Sequence, residues 1–233
     1  MVRRSTGAQD AVQQEMNSHP NGGNDLMSQF WAGRSGPSRF RRWAVVVAAL
    51  ALAVTVVQPI DASSSGPPPK FGLPWAAGTA WRLTGGPHSN TGAGRPWSSI
   101  DFEGPVPGKS YPVRAVAAGT VVRPCANWVQ IYHGNGWETS YYHLINIDVR
   151  AGQHVQSGQL LGYTSKAAGC GGSATGAHVH FSIKHDGQYV NIRGFTFGGW
   201  KVVEGAQQYE GCLVRDHVWR CAASRPLMNY GPG

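Results

Sequence analysis

Charge is scarce in this chain. Only 14% of its 233 residues are Asp, Glu, Lys or Arg, and acids are the rarer sign, 12 against 20 cations. From Ser63 onward 14 Lys and Arg meet 8 Asp and Glu, scattered, with no run longer than two. That scatter excludes the basic stripe of a nucleic-acid binder and leaves a diffuse basic surface suited to anionic polymers such as those of bacterial walls. Helical periodicity is hard to find after residue 60, which excludes a helical bundle and a parallel α/β fold. The glycine-rich stretch 165–176 enters a strand pattern rather than a helix, which excludes a phosphate-cradling loop. No internal repeat and no Cys-x-x-Cys pair occur, and the second absence argues against a zinc site built from cysteines.

Glycine (32) and proline (15) are abundant instead. With short alternating runs between them, they predict a loop-rich all-β protein. Residues 1–42 form a polar tail ending in Arg39, Arg41 and Arg42. Trp43 to Ile60 is an uncharged apolar run. Basic residues before such a run read as a signal or a membrane anchor, and about 20 residues are needed to span a bilayer. Both readings stay open: cleavage after Ala62 is possible, Met27 is an alternative start, and Arg41-Arg42 matches a twin-arginine signal poorly. Residues 61–71 form a Ser/Pro-rich linker, and 72–233 form one domain. Cys125, Cys170, Cys212 and Cys221 all follow the export segment, so two disulfides are expected, from three possible pairings. Cys212 and Cys221 can staple a terminal hairpin. The remaining pair, Cys125–Cys170, would close a long loop worth about 4 kcal/mol on the chain-entropy model.

Within the domain, Trp75 and Trp81 read as core or groove aromatics. Residues 85–94 read as a polar glycine loop with His88 at its start. Trp97 to Phe102 reads as a strand that turns Ile100 and Phe102 one way and Ser99 and Asp101 the other. Val113 to Arg123 reads as a strand pair broken at Gly119. Residues 128–133 and 137–144 read as a hairpin around Gly134-Asn135-Gly136. The run from His178 to His185 alternates too: Val179, Phe181 and Ile183 face one side, His178, His180 and Ser182 the other.

His88, Asp101, His143, His178 and His180 are the candidates for chemistry. Catalytic zinc takes three protein ligands and keeps a fourth position for water. His88, Asp101 and one histidine of the 178/180 pair could form that set. His143 and the other histidine would remain for acid–base work. His19, His133, His154, His185 and His217 sit in tails or turns, and most of the remaining tryptophans read as core or rim. The fold expected is an antiparallel β-sheet core whose long loops form a groove over a zinc site, preceded by a short apolar segment.

His88 with Asp101, Tyr141-Tyr142-His143-Leu144, and Gly176-Ala177-His178-Val179-His180-Phe181, in that order, resemble the lysostaphin-type zinc metalloendopeptidases that cut peptidoglycan peptides. The long interval from His88 to Asp101, the run Ser89-Asn90-Thr91-Gly92, the cysteine positions and Arg225-Pro226-Leu227 are more similar to the LasA staphylolytic and β-lytic branch. The resemblance implies one Zn²⁺ on His88, Asp101 and His180, with His143 and His178 catalytic. It implies substrate contacts by Tyr142 and, from the local match GAQQYEGC, Tyr209. It agrees with disulfides Cys125–Cys170 and Cys212–Cys221. It further implies an exported monomer acting on peptidoglycan peptides, with glycine-containing cross-bridges as the branch's preference and no nucleic-acid partner. The short linker departs from the sizeable pro-region of that branch and puts zymogen control in doubt. The alternative is a non-catalytic wall-binding or amidase-activating module of the same fold; such modules lose zinc ligands, and all three candidates are present here. A wall amidase is a more distant reading.

Overall fold

The computed structural model describes residues 66–232. The tail, the apolar run and the start of the linker lie outside the described residues. So does the expectation of a signal or anchor, and no helix among the described residues is long and apolar enough to cross a membrane.

Sixteen strands and no helix make up the described chain. They are β1 (Ala80–His88), β2 (Ser99–Glu103), β3 (Pro112–Arg114), β4 (Gly119–Cys125), β5 (Trp128–Tyr132), β6 (Trp137–Tyr142), β7 (Leu144–Ile145) and β8 (His154–Val155). They continue as β9 (Leu160–Thr164), β10 (Val179–His185), β11 (Gln188–Tyr189), β12 (Thr196–Phe197), β13 (Trp200–Glu204), β14 (Gly211–Arg215), β15 (Val218–Cys221) and β16 (Leu227–Met228). The main sheet runs β16-β1-β2-β10-β6-β5-β4-β8, with β11 paired to β10. A four-stranded sheet, β12-β13-β14-β15, and a three-stranded one, β3-β9-β7, complete the all-β architecture. Every strand pairing is antiparallel.

Period-2 alternation builds the core. Val179, Phe181 and Ile183 of β10 are buried, as are Ile100 and Phe102 of β2, Tyr141 of β6, and Val129 and Ile131 of β5. Each large apolar side chain removed from water stabilises by roughly 1.5–3 kcal/mol. Trp75 and Trp81 stack at 5.1 Å, and Phe102 meets Trp75 edge-on, so both tryptophans belong to the core. Phe71 is buried against Phe197 and the Trp137 indole N–H donates to the Gly66 carbonyl, so the folded unit reaches back into the linker.

Two local readings change in three dimensions. The stretch 113–123 does form two strands, but they do not pair: β3 joins β9, and β4 joins β5 and β8. The supposed loop at 85–88 is the end of β1. Its ladder with β2 slips between Leu83 and Gly85 and again between Gly85 and His88. β1 therefore carries extra residues opposite β2, as in a β-bulge, which re-aims the side chains that follow. Gly85 and Gly86 permit this. A Cβ at Gly85 would crowd the Asp101 carboxylate, and one at Gly86 would collide with the Glu210 carbonyl. The hairpin β14–β15 is stapled by Cys212–Cys221, whose Cα atoms are ladder partners. Cys125–Cys170 ties the end of β4 to the glycine-rich loop.

A hydrogen-bonded chain crosses the sheet beneath the β5–β6 turn. The Val116 N–H donates to the Tyr141 hydroxyl, which lies 3.0 Å from the Thr139 hydroxyl. Thr139 Oγ1 lies 2.8 Å from His133 Nε2, and His133 Nδ1–H donates to the Ala118 carbonyl. Burial holds the His133 pKa below the ordinary imidazole value, partly offset by the Ala118 bond. The folded chain thus resists a proton that the unfolded chain accepts near pH 6.5. Stability contributed above that pH is lost as pH falls through it. Urea unfolding between pH 7.5 and 5.5 should show this decline, and His133→Gln should make it shallower. Gly86→Ala should lower the unfolding free energy by about 1–3 kcal/mol at any pH, because backbone must move to admit the methyl group.

Candidate active site

Antiparallel pairing of β2 and β10 sets Asp101 directly opposite His180. On the other flank of β10, His180 is opposite Tyr142 of β6. Asp101 Oδ1 lies 3.0 Å from His180 Nδ1 and 3.6 Å from His88 Nε2. The two imidazole nitrogens are 3.2 Å apart. Three potential ligand atoms, from His88, Asp101 and His180, therefore converge on one point, in a set that could hold a metal ion. They arrive from a bulged strand end, a strand middle and a neighbouring strand.

His178 precedes β10 rather than lying within it, and pairs through an isolated bridge with Ser165. Its Nε2 still reaches to 3.7 Å from Asp101 Oδ1. His143 follows β6 in the left-handed region, with φ 65°. A non-glycine residue there costs roughly 1–3 kcal/mol and persists only where its surroundings enforce it. Here Ser165 does so: its hydroxyl donates to the His143 carbonyl and accepts the Ala167 N–H. The kink brings the His143 ring to 4.7 Å from that of His178 and 6.3 Å from that of His180.

Hydrogen bonds orient each ring. His88, His143 and His178 donate Nδ1–H to the carbonyls of Gly86, Ala167 and Gly176, at 2.7, 2.8 and 3.0 Å. Each then has a free Nε2 lone pair. His180 is turned the other way, with Nδ1 toward Asp101 and Nε2 toward Asn90 Oδ1 at 3.1 Å. Burial lowers the His88 pKa, against the pull of Asp101. Burial also pushes His143 down to about 4, so that ring is neutral at pH 7. Burial alone would raise the Asp101 carboxyl, but the His180 hydrogen bond and the surrounding imidazoles outweigh it and hold the group ionised.

A groove of about 630 Å³ opens over these atoms, lined by Ser89–Gly92, Gly171–Thr175, Trp128, Tyr142 and Tyr209. Tyr209 stacks on His88 at 4.1 Å, and its own φ is 66°. The Tyr142 hydroxyl is committed to the glycine-rich loop, donating to the Gly171 carbonyl and accepting the Cys170 N–H. Tyr142 therefore reaches the groove as a wall that braces the loop. Two contributors escaped the sequence reading. Gln208 accepts the Ser89 N–H at 2.8 Å and so fixes the residue after His88. Asn90, within the run Ser89-Asn90-Thr91-Gly92, places its Oδ1 3.1 Å from His180 Nε2, a contact the run does not reveal. Neither lies in a pattern that announces its role, because each is placed by a loop.

The sequence matches the description Peptidase family M23 over residues 95–192. It is 37% identical over 191 residues to protease LasA of Pseudomonas aeruginosa, covering 76% of this chain and 46% of that protein. The chain thus spans about half the length of that relative. It is 32% identical over 146 residues to the β-lytic metalloendopeptidase of Lysobacter enzymogenes, covering 59% of this chain and 82% of that one. The solved structure of pseudoalterin, an M23 metalloprotease from the deep sea, superposes with a TM-score of 0.64 at 32% identity, over 68% of this chain and 98% of that one. With four-fifths of one relative matched in sequence and nearly all of another in fold, the chain belongs to peptidase family M23.

Proposed function

We propose that this chain is an exported zinc metalloendopeptidase that hydrolyses peptide bonds in bacterial peptidoglycan, with glycine-containing cross-bridges as its substrates. The observation that carries the reading is the convergence of His88 Nε2, Asp101 Oδ1 and His180 Nδ1 beneath an open groove. Ligand atoms about 2.0–2.1 Å from one tetrahedral ion stand roughly 3.3–3.4 Å apart. The separations of 3.0, 3.2 and 3.6 Å bracket that value, so the residues fit zinc. Three protein ligands with a groove above them suit a catalytic rather than a structural site.

When bound, zinc supplies a Lewis acid and brings a water's pKa to about 7. The protein's own groups do the rest. His143 meets the substrate neutral, its Nδ1–H held by Ala167, so its Nε2 accepts the proton of the attacking water. His178, anchored through Nδ1 to Gly176, serves the developing oxyanion in its doubly protonated form, donating Nε2–H, and the proton taken up by His143 passes to the leaving amine. Asp101 supplies the one carboxylate of the ligand set.

The groove supports the substrate class. Asp101 is the only acid among its lining residues, which include no Lys or Arg. Its Ser, Thr, Ala and Gly side chains suit a peptide of small, uncharged residues whose backbone can come close. Export is supported by the arginines before the apolar run 43–60 and by two disulfides, which persist in oxidising compartments. The proposed units are a tail 1–42, an export segment 43–60, a linker 61–71 and a catalytic domain 72–233 whose packing extends back to Phe71 and Gly66, with the chain acting as a monomer.

Zinc content and amino-group release from purified walls test this directly on the full 233-residue chain. One zinc per chain is expected, with cleavage of glycine-bridged walls. His180→Ala should lose both metal and activity. His143→Ala should keep its zinc and lose activity by about 10²–10⁴-fold. Full activity in His143→Ala would overturn that residue's role, and an unmodified chain without zinc would overturn the ligand set. Equal cleavage of walls lacking glycine bridges would overturn the substrate class.

A further inference from the structure

Of the four histidines around the groove, three donate their outer N–H to a backbone carbonyl. His180 alone turns its outer nitrogen to a side chain, the amide of Asn90. The pairing of β2 with β10 explains what holds that amide. Ser99 is opposite Ser182, two residues along from Asp101 and His180, so all four share one face of the sheet. Ser98, Ser99 and Ser182 are fully buried, and their hydroxyls are linked at 3.3 and 2.8 Å. The row ends on Asn90 Oδ1, 3.1 Å from Ser182 Oγ. The same oxygen is 3.1 Å from His180 Nε2.

An imidazole that offers its Nδ1 lone pair to an ion must carry its proton on Nε2. Asn90 Oδ1 is the one partner of that nitrogen among the described residues. Resting on the zinc reading above, we propose that Asn90 is a positioning residue for the metal ligand His180. Its Oδ1 accepts Nε2–H, which selects the tautomer and fixes the ring's rotation with Nδ1 toward the ion. The Ser98–Ser99–Ser182 hydroxyls hold the amide with its oxygen inward. Thr91 to Gly94 beyond it are exposed, so Asn90 sits on a surface loop rather than in the core, and its role is separable from folding.

Competition between the full chain and a colour-changing chelator measures zinc affinity without reference to activity. Melting of the metal-free protein measures folding. Asn90→Ala should bind zinc about 10–100-fold more weakly, the usual loss when a ligand's outer partner is removed. Its metal-free melting temperature should move by no more than about 2–4 °C. Asn90→Asp keeps only acceptors and should recover most of the affinity. Ser182→Ala should weaken binding less than Asn90→Ala, and the double variant should bind no more weakly than Asn90→Ala alone, since both act through one oxygen. An Asn90→Ala chain that binds zinc as tightly as the unmodified one overturns the inference. So does an Asn90→Asp chain as weak as Asn90→Ala, or a loss of affinity matched by a collapse in metal-free melting. An unmodified chain that takes no zinc overturns the zinc reading and this inference with it, a result distinct from any variant that still binds.

Discussion

The register between β2 and β10 is the constraint on which the site depends. It sets Asp101 across from His180 and Ser99 across from Ser182, with Phe102 and Phe181 turned to the opposite, core side. A slip of one residue would exchange the two faces of a strand, so apolar burial and site geometry are specified by the same pairing. The buried apolar residues of both strands pin the register, and the polar face follows without further cost. That face then places a carboxylate among imidazoles in a partly dry site, where burial opposes its charge and the surrounding rings restore it. Such a cluster is electrostatically poised for a cation.

The remaining groups reach this face by departures from regular strand geometry. Slips in the β1–β2 ladder swing His88 over Asp101. The left-handed turn at His143 leads the chain from the main sheet toward β7 and leaves the imidazole in the groove. Both departures are held from outside. The loop carrying Gln208 and Tyr209 covers the segment around His88, exchanging backbone hydrogen bonds with Gly86 and Pro87. Ser165 and Ala167 grip both the backbone and the ring of His143. The smaller sheet β12–β15 thus has a role beyond covering apolar surface, since its β13–β14 connection supports the end of β1.

The groove's glycine-rich wall is restrained at several points along its length. Cys125–Cys170 joins it to β4, the Asn127 side chain accepts the Gly169 N–H, and the Tyr142 hydroxyl takes both a donor and an acceptor from it. A loop rich in glycine would otherwise sample many conformations. Fixing it here keeps the groove open above the converging ligand atoms, and it explains why Tyr142, next to His143 in sequence, serves the wall through its hydroxyl.

The sequence by itself determined the β class, the hairpin at 128–142, the strand bearing His180 and the five residues that gather beneath the groove. Those features follow from local alternation, turn chemistry and ordered motifs, all of which are written in neighbouring residues. Alternation could also say which side of β2 and β10 was polar. It could not say that β3 and β4 enter different sheets, that the glycines before His88 form a bulged strand end, or that His178 lies just outside β10. It could not assign Asn90 to His180 or Gln208 to Ser89, because those partners are separated by 90 and 119 residues. Long-range register and loop closure decide such contacts, and they are set only when the apolar faces of distant strands pack together.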